Sequence, residues 1–313
     1  MGDWKILLTD GLEENGKQTL AAEAQVDDRK NISAEDLLTI IADYDAIIVR
    51  GRTKVTREVL DAGKKLKVVG RSGVGVDNID LTAAKEHQVT VVNAPIATTR
   101  AVAELTMAFV FSLAREIPRA DASMKQGQWL KKEFEGLELD GKTLGIIGIG
   151  RIGASVAKMA AAIGMCILAC DPVLSEDAIR NAGGQPCSMD EILQKSDFIT
   201  IHTPLVDSTR NLVNAGLIAQ MKDGVRIICA ARGGIIDESA LLEALNSGKV
   251  AGAALDVFTS EPPLESALAK HPRVITTPHI GGQTVEAQVR AAADISSEVL
   301  AALHGTALRW KVA

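Results

Sequence analysis

The chain has 313 residues, of which 47% are hydrophobic, 24% charged and only 3% aromatic, and its formal net charge is −6. That length carries two domains, each with its own core, and the balance excludes a disordered or fibrous chain. With no basic stripe or tail, the acidic charge also excludes a general nucleic-acid binder, while the scarcity of aromatics leaves a core of Ala, Val, Ile and Leu, as in parallel strands covered by Ala-rich helices.

The opening run "MGDWKILLTDG" reads as a strand without a signal peptide, and Lys158 interrupts the longest apolar region before it could span a bilayer. The four cysteines, Cys166, Cys170, Cys187 and Cys229, show neither CxxC nor zinc spacing. Reduced structural thiols, no metal and a cytoplasmic location are therefore expected.

Before residue 100, apolar runs at 5–10, 45–51, 66–75 and 89–95 alternate with helical stretches, which predicts right-handed parallel crossovers in one small doubly wound α/β unit. The segment 101–117, "AVAELTMAFVFSLAREI", is apolar nearly all round and should be a helix buried between domains or subunits. After residue 140 the rhythm restarts with "TLGIIGIG", "MCILACDP", "DFITIHTPL", "VRIICAARGG", "AGAALDVF" and "RVITTPHIGG". Six parallel strands are what a complete dinucleotide-binding fold needs. Near the end, Val285, Val289, Ala292, Ile295, Val299 and Leu303 recur at helical spacing on one apolar face. With no strand to follow, that helix is expected to return to the N-terminal unit. The second domain (98–284) would then be inserted into the first (1–97 plus 285–313), with two crossings and a cleft between them.

In "TLGIIGIGRIG", Gly148, Gly150 and Gly153 form GxGxxG between a strand and a helix. Gly148 permits the tight turn, Gly150 admits a pyrophosphate to the backbone, and Gly153 lets helix and sheet approach. Asp171 ends the next apolar run, where a carboxylate accepts from ribose hydroxyls and repels a 2′-phosphate; neither Pro172 nor Val173 could rescue one. NAD is predicted over NADP. His202, Thr203 and Pro204 in "TIHTP" are placed to line the nicotinamide-ribose side.

Three later strand ends carry unusual polar residues: Arg232 in "ICAARGG", Asp256 and Glu261 in "ALDVFTSEPP", and His279 in "ITTPHIGG". The carboxyl ends of parallel strands share one edge, so these groups should converge. Hydride transfer from a carbinol carbon requires a base for the hydroxyl proton, a role that suits His279. Glu261 would orient its ring and stabilise the imidazolium, and an Arg232 fork would hold a substrate carboxylate and polarise the reacting oxygen. His202 is the rival base.

"GIIGIGRIG", "CAARGGIIDE", "ALDVFTSEPP" and "TPHIGG" together resemble the D-isomer-specific 2-hydroxyacid dehydrogenase family over essentially the whole chain. The resemblance implies a Rossmann domain inserted into a smaller flavodoxin-like substrate domain, and a homodimer formed through the helix and arm near 98–135. It also implies catalytic roles for Arg232, Glu261 and His279. Arg151, Ile152, Ala230, Asp256, Gly281 and Gly282 join the cofactor contacts already named. "VRGRTKVT" and "GRSGVGVDNIDLTAA" are most similar to members that act on a small phosphorylated 2-hydroxy acid. Arg50 and Arg71 would meet the phosphate, and Val74 and Gly75 would bring amides near the carboxylate, beside Arg232 and His279. One departure stands out: "IATTRAVAE" replaces the Asn-Gly-Asn-Ser-like segment usual there and brings Arg100 toward the cleft. A chain ending just after the returning helix implies a form without the regulatory domains of longer members. A glyoxylate or hydroxypyruvate reductase would share the catalytic trio without needing a phosphate site. An NAD-sensing corepressor would keep the fold as a binding module.

Overall fold

The computed structural model describes residues 4–313, so the first three residues of the opening run lie outside the described ones. The chain divides into two compact units: everything up to Thr99 together with Gly282–Ala313, and the continuous stretch Arg100–Gly281.

The first unit is a five-stranded parallel sheet of β1 (Trp4–Leu8), β2 (Ala24–Asp28), β3 (Ala46–Val49), β4 (Val68–Arg71) and β5 (Thr90–Asn93), in the order β2-β1-β3-β4-β5. This is the flavodoxin-like order. Strand periodicity sends alternate residues to opposite faces: Leu7, Ile47 and Val49 enter one apolar cluster, and Ile6, Leu8 and Ile48 the other. The sequence reading missed β2, because "AQVDD" is a polar edge strand with no apolar run to mark it.

The Val285–Leu303 helix belongs to this unit and buries Ala292, Ile295, Val299 and Leu303. Its first turns depart from the expected stripe, since Val285 is 78% and Val289 42% exposed. The inward face there is made by Ala287 and Ala291 instead. Ala292 lies against Gly16 of the first helix, whose carbonyl accepts from Ser296 Oγ at 3.1 Å. Beyond the helix, an antiparallel bridge pairs Lys311 with Val92, giving edge strand β5 a partner that periodicity did not anticipate.

The second unit contains β6 (Thr143–Ile147), β7 (Cys166–Cys170), β8 (Gln185–Pro186), β9 (Phe198–Ile201), β10 (Val225–Cys229), β11 (Val250–Leu255) and β12 (Val274–Thr276). All pairings are parallel, in the order β12-β11-β10-β9-β6-β7-β8. Seven strands replace the expected six because β8, two residues ending in a proline, carries no sequence signature. Both faces are covered, as burial of a parallel sheet requires: Ile147, Ile227 and Leu255 point into one cluster, and Ile146, Ile228 and Ala254 into the other.

The register aligns the strand ends. Cys170, Ile147, Ile201, Cys229, Leu255 and Thr276 are successive partners across the sheet. The residues that follow them, Asp171, Gly148, His202, Ala230, Asp256 and Thr277, therefore line one carboxyl edge.

Candidate active site

At the centre of that edge, β6 is flanked by β7 on one side and β9 on the other. The chain thus leaves in opposite directions at this point, which is where open α/β sheets bind ligands. Gly148 turns the chain with φ +88°, and Gly150 is the N-cap of the Arg151–Ala162 helix, so Arg151 and Ile152 occupy its first turn. A Cβ on Gly153 would stand 2.4 Å from the Gly148 carbonyl oxygen, so a side chain there would displace the turn itself. A Cβ on Gly150 would meet nothing within 4 Å. This is the open approach that a pyrophosphate needs, beside free helix N-terminal amides.

Asp171 organises the same loop. One carboxylate oxygen accepts from the Ile149 amide at 3.0 Å, and the other from Val173 at 3.0 Å and Leu174 at 3.3 Å. With two amides on Oδ1 and one on Oδ2, it is Oδ2 that keeps acceptor capacity for a ribose hydroxyl.

On the other side of the turn, His202 and Thr203 pack against Gly148. Thr203 is buried, and neither its Oγ1 nor His202 Nδ1 has a hydrogen-bond partner, although both are shut off from solvent. Buried polar atoms of this kind normally have partners, and a dinucleotide at this edge would supply them. The open Gly150 face and these orphan atoms fit NAD. His202 Nε2 lies 3.0 Å from Thr200 Oγ1. Burial pushes the ring down to about 4, so it stays neutral near pH 7 and is a weak proton acceptor there.

The three later loops converge within this unit. Nδ1 of His279 is 2.8 Å from Oε2 of Glu261, and Oε1 of the same carboxylate accepts from the Phe258 amide at 3.1 Å. Burial would raise the Glu261 carboxyl, but the hydrogen bonds from His279 and Phe258, with the charges of His279 and Arg232, outweigh it and hold the group below its ordinary value. An ionised carboxylate only accepts, so Nδ1 carries the hydrogen and Nε2 is the atom left to exchange a proton. The imidazole is half exposed.

His279 itself sits at φ +53°, an uncommon conformation for a side-chain-bearing residue. Asp256 supports that turn. Its side chain, only 1% exposed with the rest of the residue, accepts from Thr277 Oγ1 at 2.6 Å and from the amides of Ile280 and Gly281, each at 2.7 Å. Its carbonyl accepts from the His279 amide at 3.0 Å. Asp256 thus directs its carboxylate inward, to the histidine turn. Arg232 follows Ala230 beyond β10 and donates to the Ala231 carbonyl at 2.6 Å.

In the first unit, Arg71 ends β4 and Arg50 directly follows β3, at the carboxyl edge of that sheet. Asp10 Oδ2 accepts from the Arg50 amide at 2.7 Å, and the guanidinium donates to Gln283 at 3.2 Å. Val74 lies in the loop after β4, where its carbonyl accepts from Asn93 at 2.7 Å, with Gly75 next to it. Arg100 pairs one helical turn on with Glu104 at 2.5 Å. The unit boundary falls between Gly281 and Gly282. Among the described residues, no group of His, Cys, Asp and Glu is arranged to hold a metal ion, and no helix is long and apolar enough to cross a membrane.

A dinucleotide turn at the switch point and a histidine-carboxylate pair on the same sheet edge define the class: a nicotinamide-cofactor domain equipped for proton exchange. The pattern of the D-isomer specific 2-hydroxyacid dehydrogenase NAD binding domain matches residues 107–281, and the chain belongs to that family. The second unit is accordingly an NAD-binding domain. Over 305 residues the chain is 48% identical to D-3-phosphoglycerate dehydrogenase of Rattus norvegicus, covering 97% of this chain and 57% of the rat protein. It therefore spans little more than half the length of the curated relatives it matches. Among solved structures, a glyoxylate reductase from Paecilomyes thermophila superposes with a TM-score of 0.91 at 32% identity, covering 100% of this chain and 99% of that one. D-lactate dehydrogenase from Aquifex aeolicus, complexed with NAD and lactic acid, gives 0.83 at 31% identity, covering 96% of each chain.

Proposed function

We infer that this protein oxidises D-3-phosphoglycerate to 3-phosphohydroxypyruvate with NAD, the opening step of serine biosynthesis. The observation that carries the reading is the 2.8 Å His279–Glu261 pair on the carboxyl edge of an NAD-binding sheet. The 48% identity to a D-3-phosphoglycerate dehydrogenase supports this choice of acid.

NAD held at this edge would supply the acceptor for the hydride that leaves the carbinol carbon. His279 takes the hydroxyl proton at Nε2, because its Nδ1 hydrogen is committed to Glu261. The imidazolium that results is stabilised by that carboxylate. Arg232 offers a planar fork for the substrate carboxylate and polarises the reacting oxygen. Arg50 and Arg71 supply cations for the phosphate. Gly148, Gly150 and Gly153 with Arg151 and Ile152 receive the pyrophosphate, Asp171 the adenosine ribose, and His202, Thr203 and Pro204 the nicotinamide side. Ala230, Gly281 and Gly282 line the remainder of the cofactor path, and Val74 and Gly75 meet the substrate carboxylate.

A cytoplasmic homodimer is part of the same reading. Phe111, Ile117, Met124 and Trp129 are exposed apolar residues in the stretch following the first crossover, with Trp129 at 77%. All four cysteines are free, as in a reducing compartment.

The test is NADH formation by the purified protein with 3-phosphoglycerate, D-glycerate and D-lactate. Preference for the phosphorylated acid is the expected result. Comparable or faster turnover without the phosphate would move the assignment to a glyoxylate or hydroxypyruvate reductase. NAD binding without turnover on any acid would indicate a binding module.

A further inference from the structure

Glu261 sits on a turn that two other residues hold from outside. A Cβ on Gly233 would fall 1.9 Å from the Phe258 carbonyl oxygen and 2.7 Å from the Thr259 amide nitrogen, so the Arg232-Gly233 backbone lies directly on the Phe258–Thr259 peptide. The Thr259 amide in turn donates to Oε1 of Glu238 at 2.7 Å. Glu238 is the first residue of the Glu238–Ser247 helix, which Asp237 caps through the Ser239 and Ala240 amides. Glu238 therefore does not serve as the cap and is left to hold Thr259. Arg232, Gly233 and Glu238 also line one small, partly open pocket of about 10 Å³.

We propose that Glu238 is a positioning residue for the proton relay: by gripping the Thr259 amide it fixes the turn that aims Glu261 at His279. The proposal rests on the reading of Glu261 and His279 as the relay. Consecutive amides divide the work, since Phe258 donates to Glu261 and Thr259 donates to Glu238. A turn released at Thr259 loses the anchor adjacent to the Phe258 amide, and the carboxylate that amide orients loses its aim. Charge-assisted hydrogen bonds of this kind are the strong ones, and a misplacement of about 1 Å at a catalytic group can cost roughly a hundredfold in rate.

The experiment compares Glu238→Ala, Glu238→Asp and Glu238→Gln with Glu261→Gln, reading kcat, KM for NAD, the pH profile of kcat/KM, and NADH affinity by fluorescence. Aspartate keeps the charge in the first helical turn but is one methylene too short to reach Thr259. Glutamine keeps an acceptor oxygen at the right reach. Glu238→Ala and Glu238→Asp are expected to lower kcat by about tenfold or more, with NADH affinity within about twofold of the parent and the pH profile displaced in the same direction as in Glu261→Gln. Glu238→Gln should restore most of the activity. Glu238→Ala added to Glu261→Gln should cost little further, because both act through one carboxylate.

Additive losses in the double variant, or a Glu238→Asp enzyme with parental kcat and pH profile, would overturn the proposal. If the alanine variant does not fold, the aspartate and glutamine pair still decides it. A pH profile unmoved by Glu261→Gln would instead remove the relay reading on which the proposal stands.

Discussion

Nδ1 of His279 and Oε2 of Glu261 are 2.8 Å apart, although 18 residues separate them along the chain. Because the carboxyl is held below its ordinary value, the charged form persists down through the usual carboxylate range and is lost only as pH falls through that lowered value. The acidic limb of the oxidation profile should therefore not come from the Glu261 carboxyl itself. Glu261→Gln removes the charge that favours imidazolium. The acidic limb of kcat/KM for oxidation and the alkaline limb for keto-acid reduction should both move to lower pH, and the maximal rate should drop. His279→Gln should cost on the order of 10²–10⁴ in kcat. Limbs that stay in place in Glu261→Gln would uncouple the carboxylate from the titrating group.

Asp171 is expected to act twice, on the ribose and on the Ile149, Val173 and Leu174 amides. Asp171→Ala should weaken NAD by roughly 1.5–3 kcal/mol, about ten- to a hundredfold in Kd, and weaken NADP less. NADH fluorescence titration and its NADPH counterpart measure both. An unaltered ratio of the two affinities would remove Asp171 from cofactor choice.

A methyl at Gly153 would collide with the Gly148 carbonyl, which is backbone and cannot swing aside. Gly153→Ala should therefore lose cofactor affinity beyond what its loss of stability explains. Calorimetric Tm and NADH titration on the same sample separate the two effects. Unchanged affinity would show that the turn tolerates the displacement.

Arg50→Ala and Arg71→Ala should each raise KM for the phosphorylated acid while leaving NADH affinity nearly intact, since both side chains belong to the first unit. The ratio of kcat/KM between 3-phosphoglycerate and D-glycerate is the decisive measurement. If neither arginine alters it, the phosphate is bound elsewhere or is not part of the substrate.

Tyr44 donates to Asp27 at 2.6 Å, and burial together with that hydrogen bond and charge pushes its phenol up to about 12. The unfolded value is near 10, so the stabilisation is complete below that pH and is lost as pH rises through about 12. Tyr44 is the single tyrosine of the chain, and near-ultraviolet absorbance follows its ionisation without interference. Asp27→Asn should lower the midpoint. A midpoint near 10 in the folded parent protein would mean that the pairing is not made.

Local patterns in the sequence are enough to mark the glycine turn, the carboxylate that ends β7, and the apolar runs of buried strands, because each follows from backbone sterics or strand period. The polar edge strand β2 and the two-residue β8 leave no such mark. Val285 and Val289 fit a helical stripe, yet they are exposed where the inward face of that helix is made by alanines. The contrast between the two candidate histidines is likewise not local: a neutral, enclosed His202 and a half-exposed His279 are outcomes of packing. Gly233, one of a glycine doublet, and Glu238, an acid in a helix's first turn, carry no local mark of a shared role. Their grip on the Glu261 turn exists because β10 and β11 run side by side, bringing the loops that follow them together. By itself, then, the sequence determined which residue types sit at the strand ends, since strand and turn preferences act over a few residues. Only the tertiary structure decided which of those side chains touch, because register and burial are set by pairings between strands far apart in the chain.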